Sequence, residues 1–274
     1  MRHLRLFALV LFVGSLVFSF WTSHEYNKKQ NKDIPTLTSD TELLEISVKD
    51  GPEALMTGLT AHDKTDGDIT ERIIVASMSH FLEPGTVNVK YVVFDAHNNA
   101  ATLTRQVHYT DYTPPRFSLS KAPVYLRGQN FDLLRHISAT DPLDGDISSG
   151  VRLVSGTVSN YATGEYPIVF EVSNSCGQRS QVEIWVCFTD KASSVRITLK
   201  DYIVYTDQGA PFDPYSHIQS VTGADGTDLD KQNITVEGNL DTGTPGCYQL
   251  TYTYADGTAQ GQTRLTVVVT AQED

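Results

Sequence analysis

The chain has 274 residues, 40% of them hydrophobic, with 21 Lys+Arg against 33 Asp+Glu and a formal charge of -12. The first 32 residues hold five of the basic side chains and one acid, so the remainder carries 16 basic against 32 acidic groups, a surface that excludes a phosphate-backbone footprint and with it nucleic acid as a partner. Ample β-branched and aromatic content excludes a disordered chain, and three cysteines are too few for a disulfide-stapled scaffold.

In chain order, Arg2 and Arg5 precede an apolar run from Leu6 to Trp21, interrupted only by Gly14, Ser15 and Ser19. Its 16 residues are long for a signal-peptide core of roughly 7–15 and short for a membrane span of about 20. The bulky Phe18, Phe20 and Trp21 crowd a cleavage site. An uncleaved N-terminal helix, with Leu6, Phe12 and Trp21 in the membrane, is the first expectation; a cleaved signal and a secreted body is the alternative. Basic residues on the short side place the N-terminus inside and the body outside the cytoplasm.

Beyond residue 40 the sequence repeats. Glu83-Pro84-Gly85-Thr86-Val87 opens one alternating run, Thr163-Gly164-Glu165-Tyr166-Pro167 a second and Pro245-Gly246-Cys247-Tyr248-Gln249 a third. The glycines are 79 and 82 residues apart, and an aromatic stands six positions after each: Tyr91, Phe170 and Tyr252. A second alternating run follows each, at 103–109, 182–188 and 265–269, which predicts a β-hairpin in every repeat.

Each hairpin is preceded by a shared turn. Asp63 and Asp66-Gly67-Asp68 form it in the first repeat, Asp141 and Asp144-Gly145-Asp146 in the second, and a looser Asp225-Gly226-Thr227-Asp228 in the third. The turn precedes the later glycine by 19, 20 and 21 residues. Short strands with frequent turn signals and no helical apolar stripe predict an all-β sandwich architecture. Breaks at 109–115 and 189–194 divide the chain into 1–32 (leader and polar linker), 33–110, 111–190 and 191–274. Tyr166 and Tyr248, two positions after their glycines, are placed to tie a strand to the preceding turn; Val87 stands there in the first repeat.

These motifs, over roughly residues 40–270, resemble bacterial immunoglobulin-like domains, specifically the family named after a pesticidal crystal protein's Ig-like domain. The resemblance implies three tandem Ig-like β-sandwiches of the kind found on surface and secreted proteins of Gram-positive bacteria. It implies a spacer or adhesive role toward an extracellular protein or glycan, and no catalytic residues.

The residues themselves offer few sites. Asp63, Asp66, Asp68, Asp141, Asp144 and Asp146 are the candidate ligands for calcium, a hard cation that takes six to eight oxygens. Each turn supplies three, so the competing reading is that these carboxylates accept backbone N–H bonds and shape the turn. No His pair, Cys–His set or Gly-x-Ser-x-Gly elbow points to zinc or to nucleophilic catalysis, and the chain reads as a non-enzyme. Trp185 is out of phase with Val182, Ile184 and Val186, which puts it on the outer face of its strand, as a contact for a glycan or a neighbouring domain. With the tyrosines of the third repeat it supports the alternative reading, a carbohydrate or cell-wall binding module of a secreted protein.

Overall fold

The computed structural model describes residues 15, 16, 18, 19, 21 and 33–271. Leu6 and Phe12 of the expected membrane helix lie outside the described residues, while Trp21 is exposed. Among the described residues no helix is long and apolar enough to cross a membrane. The chain divides into two compact units, residues 1–110 and 111–274, and the described body of each is all-β, as the sequence predicts.

The first unit contains β1 (Thr36–Ser39), β2 (Leu43–Ile46), β3 (Leu59–Asp63), β4 (Gly67–Asp68), β5 (Ile74–Met78), β6 (Thr86–Phe94) and β7 (Ala100–Tyr109). One sheet has the order β1-β3-β4, the other β2-β7-β6-β5, with β2 parallel to β7 and the remaining pairs antiparallel. Alternation along β6 buries Val87, Val89, Tyr91 and Val93 completely, which is why this strand centres the core. The hydroxyl of buried Tyr91 donates to Leu55 O at 2.8 Å, fastening the 3-10 turn Pro52–Met56 to the sheet. Arg105, only 4% exposed, occupies an inward position of β7 and donates to Leu55 O, Thr57 O and Ser39 Oγ.

In the second unit the strands are β8 (Arg116–Leu119), β9 (Val124–Leu126), β10 (Ile137–Asp141), β11 (Gly145–Asp146), β12 (Arg152–Ser155), β13 (Gly164–Ser173) and β14 (Arg179–Thr189). They continue with β15 (Val195–Leu199), β16 (Ile203–Asp207), β17 (Ile218–Gly223), β18 (Ile234–Glu237), β19 (Gly246–Asp256) and β20 (Ala259–Thr270). The arrangement of the first unit recurs as β11-β10-β8 with β12-β13-β14-β9, and again as β15-β17 with β16-β20-β19-β18, where the third strand of the smaller sheet is reduced to the Thr222–Asp228 bridge. The edge strands β9 and β16 are again parallel to their neighbours. All three predicted hairpins form, as β6–β7, β13–β14 and β19–β20. Tyr166 Oη donates to Ala162 O at 3.2 Å and Tyr248 Oη to Thr244 O at 2.8 Å, the two strand-to-turn ties expected of these tyrosines.

Residues 116–189 and 195–270 share one continuous apolar cluster, running from Phe117 through Phe188 to Val267. Polar contacts join them as well. Tyr205 Oη accepts from Phe117 N at 2.7 Å, and the Asp201 carboxylate accepts from Ser118 Oγ at 2.7 Å and Leu119 N at 3.2 Å. The outer face of β14 packs on β19 and β20, where Gln249 Nε2 donates to Glu183 O and Arg264 pairs with Glu165.

Candidate functional site

The six candidate aspartates are positioned by turns whose glycines, Gly67 and Gly145, adopt φ of +76° and +72°, a region that L side chains disfavour. Within each turn the carboxylates have separate tasks. Asp63 Oδ1 accepts from Thr65 N and Asp66 N, and Asp141 Oδ1 from Leu143 N and Asp144 N, closing the loop locally. Asp68 and Asp146 accept from the backbone N–H of Thr70 and Ser148, at 3.0 and 2.9 Å. The middle aspartates reach much farther. Asp66 Oδ2 accepts from Ala96 N at 2.7 Å, and Asp144 from both N and Oγ of Ser175, so each turn is fastened to the tip of its own hairpin.

These donors hold Asp63 below the ordinary carboxylate range, mainly through the backbone N–H of Asp66 and Thr65. The hydroxyls of Thr70 and Ser148 lead the same effect on Asp68 and Asp146. Among the described residues no group of three or more His, Cys, Asp or Glu side chains is arranged to hold a metal ion. One oxygen of each of the six carboxylates accepts from an N–H group. Asp63 Oδ2 is buried and without a hydrogen-bond partner.

Its counterpart in the second repeat, Asp141 Oδ2, accepts from Tyr112 Oη at 3.2 Å and Asn174 Nδ2 at 3.1 Å. Where the second repeat has Asn174, the first has Asp95, a buried carboxylate whose charge opposes ionisation of Asp63. Donors from Asn99 and His97 outweigh the burial of Asp95 and keep it below the usual carboxylate range too.

Trp185 lies on the outer face of β14, half-buried, with Nε1 donating to Glu183 Oε1 at 2.7 Å. Together with Glu165, Glu237, Tyr248 and Arg264 it lines a groove of about 430 Å³, within the 300–1,000 Å³ range of ligand sites. Gly238, at φ +156°, lets the chain leaving β18 pass so close to β19 that a Cβ there would stand 2.4 Å from Gln249 O. Of the third-repeat aromatics Tyr248 lines this groove, but Tyr202, Tyr205 and Phe212 do not. Tyr202 is buried, Tyr205 lines a separate cleft with Pro114 and Pro115, and Phe212 stacks on His217 at 5.0 Å.

Arg264 is the groove residue that periodicity did not flag. Its signal was a cation in the outward phase of a strand whose neighbours Thr263, Leu265 and Val267 are buried. The three cysteines are free, Cys176 and Cys187 buried and Cys247 partly so, and burial pushes all three thiols up.

Residues 44–108 match the family described as bacterial surface protein, Ig-like domain. That stretch, about a quarter of the chain, is similar to a bacterial surface Ig-like domain. Pesticidal crystal protein Cry22Aa of Bacillus thuringiensis is 27% identical over 210 residues, covering 72% of this chain. The chain spans about a quarter of that relative, 27% of its length. Two solved structures are similar to it at 12% identity. The M60 catalytic domain with CBM51-1 and CBM51-2 from Clostridium perfringens ZmpB has a TM-score of 0.25, covering 88% of this chain and 31% of that one. Drosophila N-cadherin EC1-3 has a TM-score of 0.29, covering 85% and 98%. The Ig-like match lies in the first unit, whose Asp-Gly-Asp turn and hairpin recur in the second.

Proposed function

We propose that this is a non-enzymatic bacterial cell-surface protein whose three Ig-like sandwiches, at 33–110, 111–190 and 191–274, act as spacer and adhesion modules. Residues 1–32 are its leader, and the first reading keeps them as a membrane anchor with the body outside the cytoplasm. The observation that carries this reading is the match of residues 44–108 to a bacterial surface Ig-like family. The recurrence of that region's hairpin sheet in both other modules, and of its turn in the second, supports extending it to them. The motif aspartates serve as fasteners within the first two modules. A partner is met by an exposed face rather than a catalytic centre.

Beads coated with the chain and presented to mucin, host glycans and bacterial wall fragments test the proposal. Saturable attachment above that of albumin-coated beads is expected, equally with calcium and with EDTA. Attachment no better than albumin removes the adhesive part, and hydrolysis of a presented glycan that one Asp or Glu substitution abolishes replaces the whole reading.

A further inference from the structure

The groove on the outer face of β14 combines features that the packing of two sheets does not call for. The Trp185 indole N–H is spent on Glu183, which sets the ring's orientation and leaves its apolar surface as what it offers a ligand. Arg264 is 5% exposed at its side chain and pairs with Glu165, yet its Nε is buried and has no hydrogen-bond partner. Glu237 stands exposed at the end of β18, on the same groove. Buried polar atoms are nearly always satisfied, so this guanidinium beside the cleft is held with part of its donor capacity unused by the fold.

The ligand's charge follows from these groups. An anion would meet Glu165, Glu183 and Glu237; a cation would meet a buried guanidinium. A hydroxyl both donates and accepts, so it answers the carboxylates and Arg264 alike. An indole surface beside such groups suits a molecule with one apolar face and a polar edge, the amphipathic character of a pyranose ring.

We propose that this groove is a saccharide-binding site for a neutral pyranose oligosaccharide. The sugar lies against Trp185, Glu183 and Glu237 accept from its hydroxyls, and the guanidinium of Arg264, which lines the groove beside Glu165, supplies the donor for a ring or hydroxyl oxygen. The proposal deepens the adhesive reading above and rests on it.

The chain has two tryptophans, so in the full-length Trp21→Phe protein the emission of Trp185 is the sole indole signal. That protein is titrated with linear tetrasaccharides of N-acetylglucosamine, mannose and galactose, and with tetralysine and tetraglutamate as ionic probes. At least one neutral tetrasaccharide is expected to change Trp185 emission saturably. By calorimetry, Trp185→Ala and Glu237→Gln are each expected to weaken its binding about tenfold or more. Glu237→Gln keeps shape at an exposed position, so it remains interpretable if Trp185→Ala disturbs packing.

Saccharide binding that leaves Trp185 emission unmoved and survives both substitutions overturns the groove while sparing the adhesive reading. Binding of an ionic probe alone overturns the ligand class. Binding of no probe overturns the site, and bead attachment then judges the adhesive reading on its own.

Discussion

Asp144 and Ser175, 31 residues apart, are joined by two hydrogen bonds: Ser175 N donates to Asp144 Oδ2 at 2.6 Å and Ser175 Oγ to Oδ1 at 2.7 Å. The first repeat makes a single version of the same clasp from Ala96 N to Asp66, whose carboxylate also pairs with Arg72 at 2.8 Å. The spacing between turn and hairpin is therefore a structural requirement, because the middle aspartate must reach the hairpin tip.

Asp144→Ala removes both bonds and leaves the Ser175 N–H to water. Charge-assisted bonds at an accessible site make the expected loss about 1–2 kcal/mol, a thermal shift of a few degrees for a unit of this size. Asp66→Ala should cost a similar amount in the first unit. Because these oxygens serve N–H groups, calcium and EDTA should give superimposable melts of the wild type. A calcium-dependent rise in Tm that Asp66→Ala or Asp144→Ala abolishes would show a metal role instead.

Asp63 and Asp95 set the acid limit of the first unit. Both are buried and both are held below the ordinary carboxylate value of 3.8. A depressed folded-state pKa contributes stability that is fully present above the unfolded value and lost as pH falls through the folded one. Acid unfolding should therefore set in below about pH 4. Asp95→Asn installs the residue type that the second repeat uses at Asn174, where Nδ2 serves Asp141 Oδ2. That amide can donate to the orphaned Asp63 Oδ2, so the variant should unfold at lower pH than wild type, whereas Asp63→Asn should be less stable at pH 7. Circular dichroism against pH checks both, and an unchanged or raised midpoint for Asp95→Asn would contradict the pairing.

The buried ends of the Glu165–Arg264 pair are unequal: the Arg264 side chain is 5% exposed and that of Glu165 47%. Removing the exposed partner strands a buried cation, while removing the cation leaves a carboxylate that water can reach. Glu165→Ala should thus destabilise the second unit more than Arg264→Met. Because Glu165 is half in solvent, the expected difference is only about 1 kcal/mol. Urea unfolding of the two variants would reveal the order, and equal losses would mean the guanidinium is solvated when unpaired.

What the sequence made legible was local. The hairpins, the Asp-Gly-Asp turns and the Tyr166 and Tyr248 ties each depend on residues a few positions apart, with alternation to fix which side faces inward. The parallel edge strands β2, β9 and β16 were not legible, because they are three to five residues long and pair with strands some 60 residues away. Arg105 was hidden for a related reason. A charge in the inward phase of β7 reads as an error in the pattern until the turn carbonyls of Leu55 and Thr57 are folded over it. Trp185 was placed correctly on the outer face, but the groove beside it exists only because β14 meets β19 and β20.

Tyr91 and Tyr252, the aromatics six positions after their glycines, are fully buried and use their hydroxyls in the same way. Tyr252 Oη donates to Pro214 O at 2.7 Å, as Tyr91 Oη does to Leu55 O. Burial pushes the Tyr252 hydroxyl up, so it remains a protonated donor across the physiological range. Phe170 fills this position in the second repeat, so the ring is the shared requirement and the hydroxyl an addition. Tyr252→Phe should then fold normally and lose about 1 kcal/mol. Tyr91→Phe should lose more, because Arg105 Nε also donates to that oxygen at 3.4 Å and loses its acceptor. Arg105→Ala should exceed both, at about 3 kcal/mol, since it removes the donor to the Thr57 carbonyl and one of the two donors to Leu55 O and opens a cavity. Chemical denaturation of the three variants gives the order directly; a Tyr91→Phe loss no larger than that of Tyr252→Phe would show that Arg105 holds the turn without help from the tyrosine.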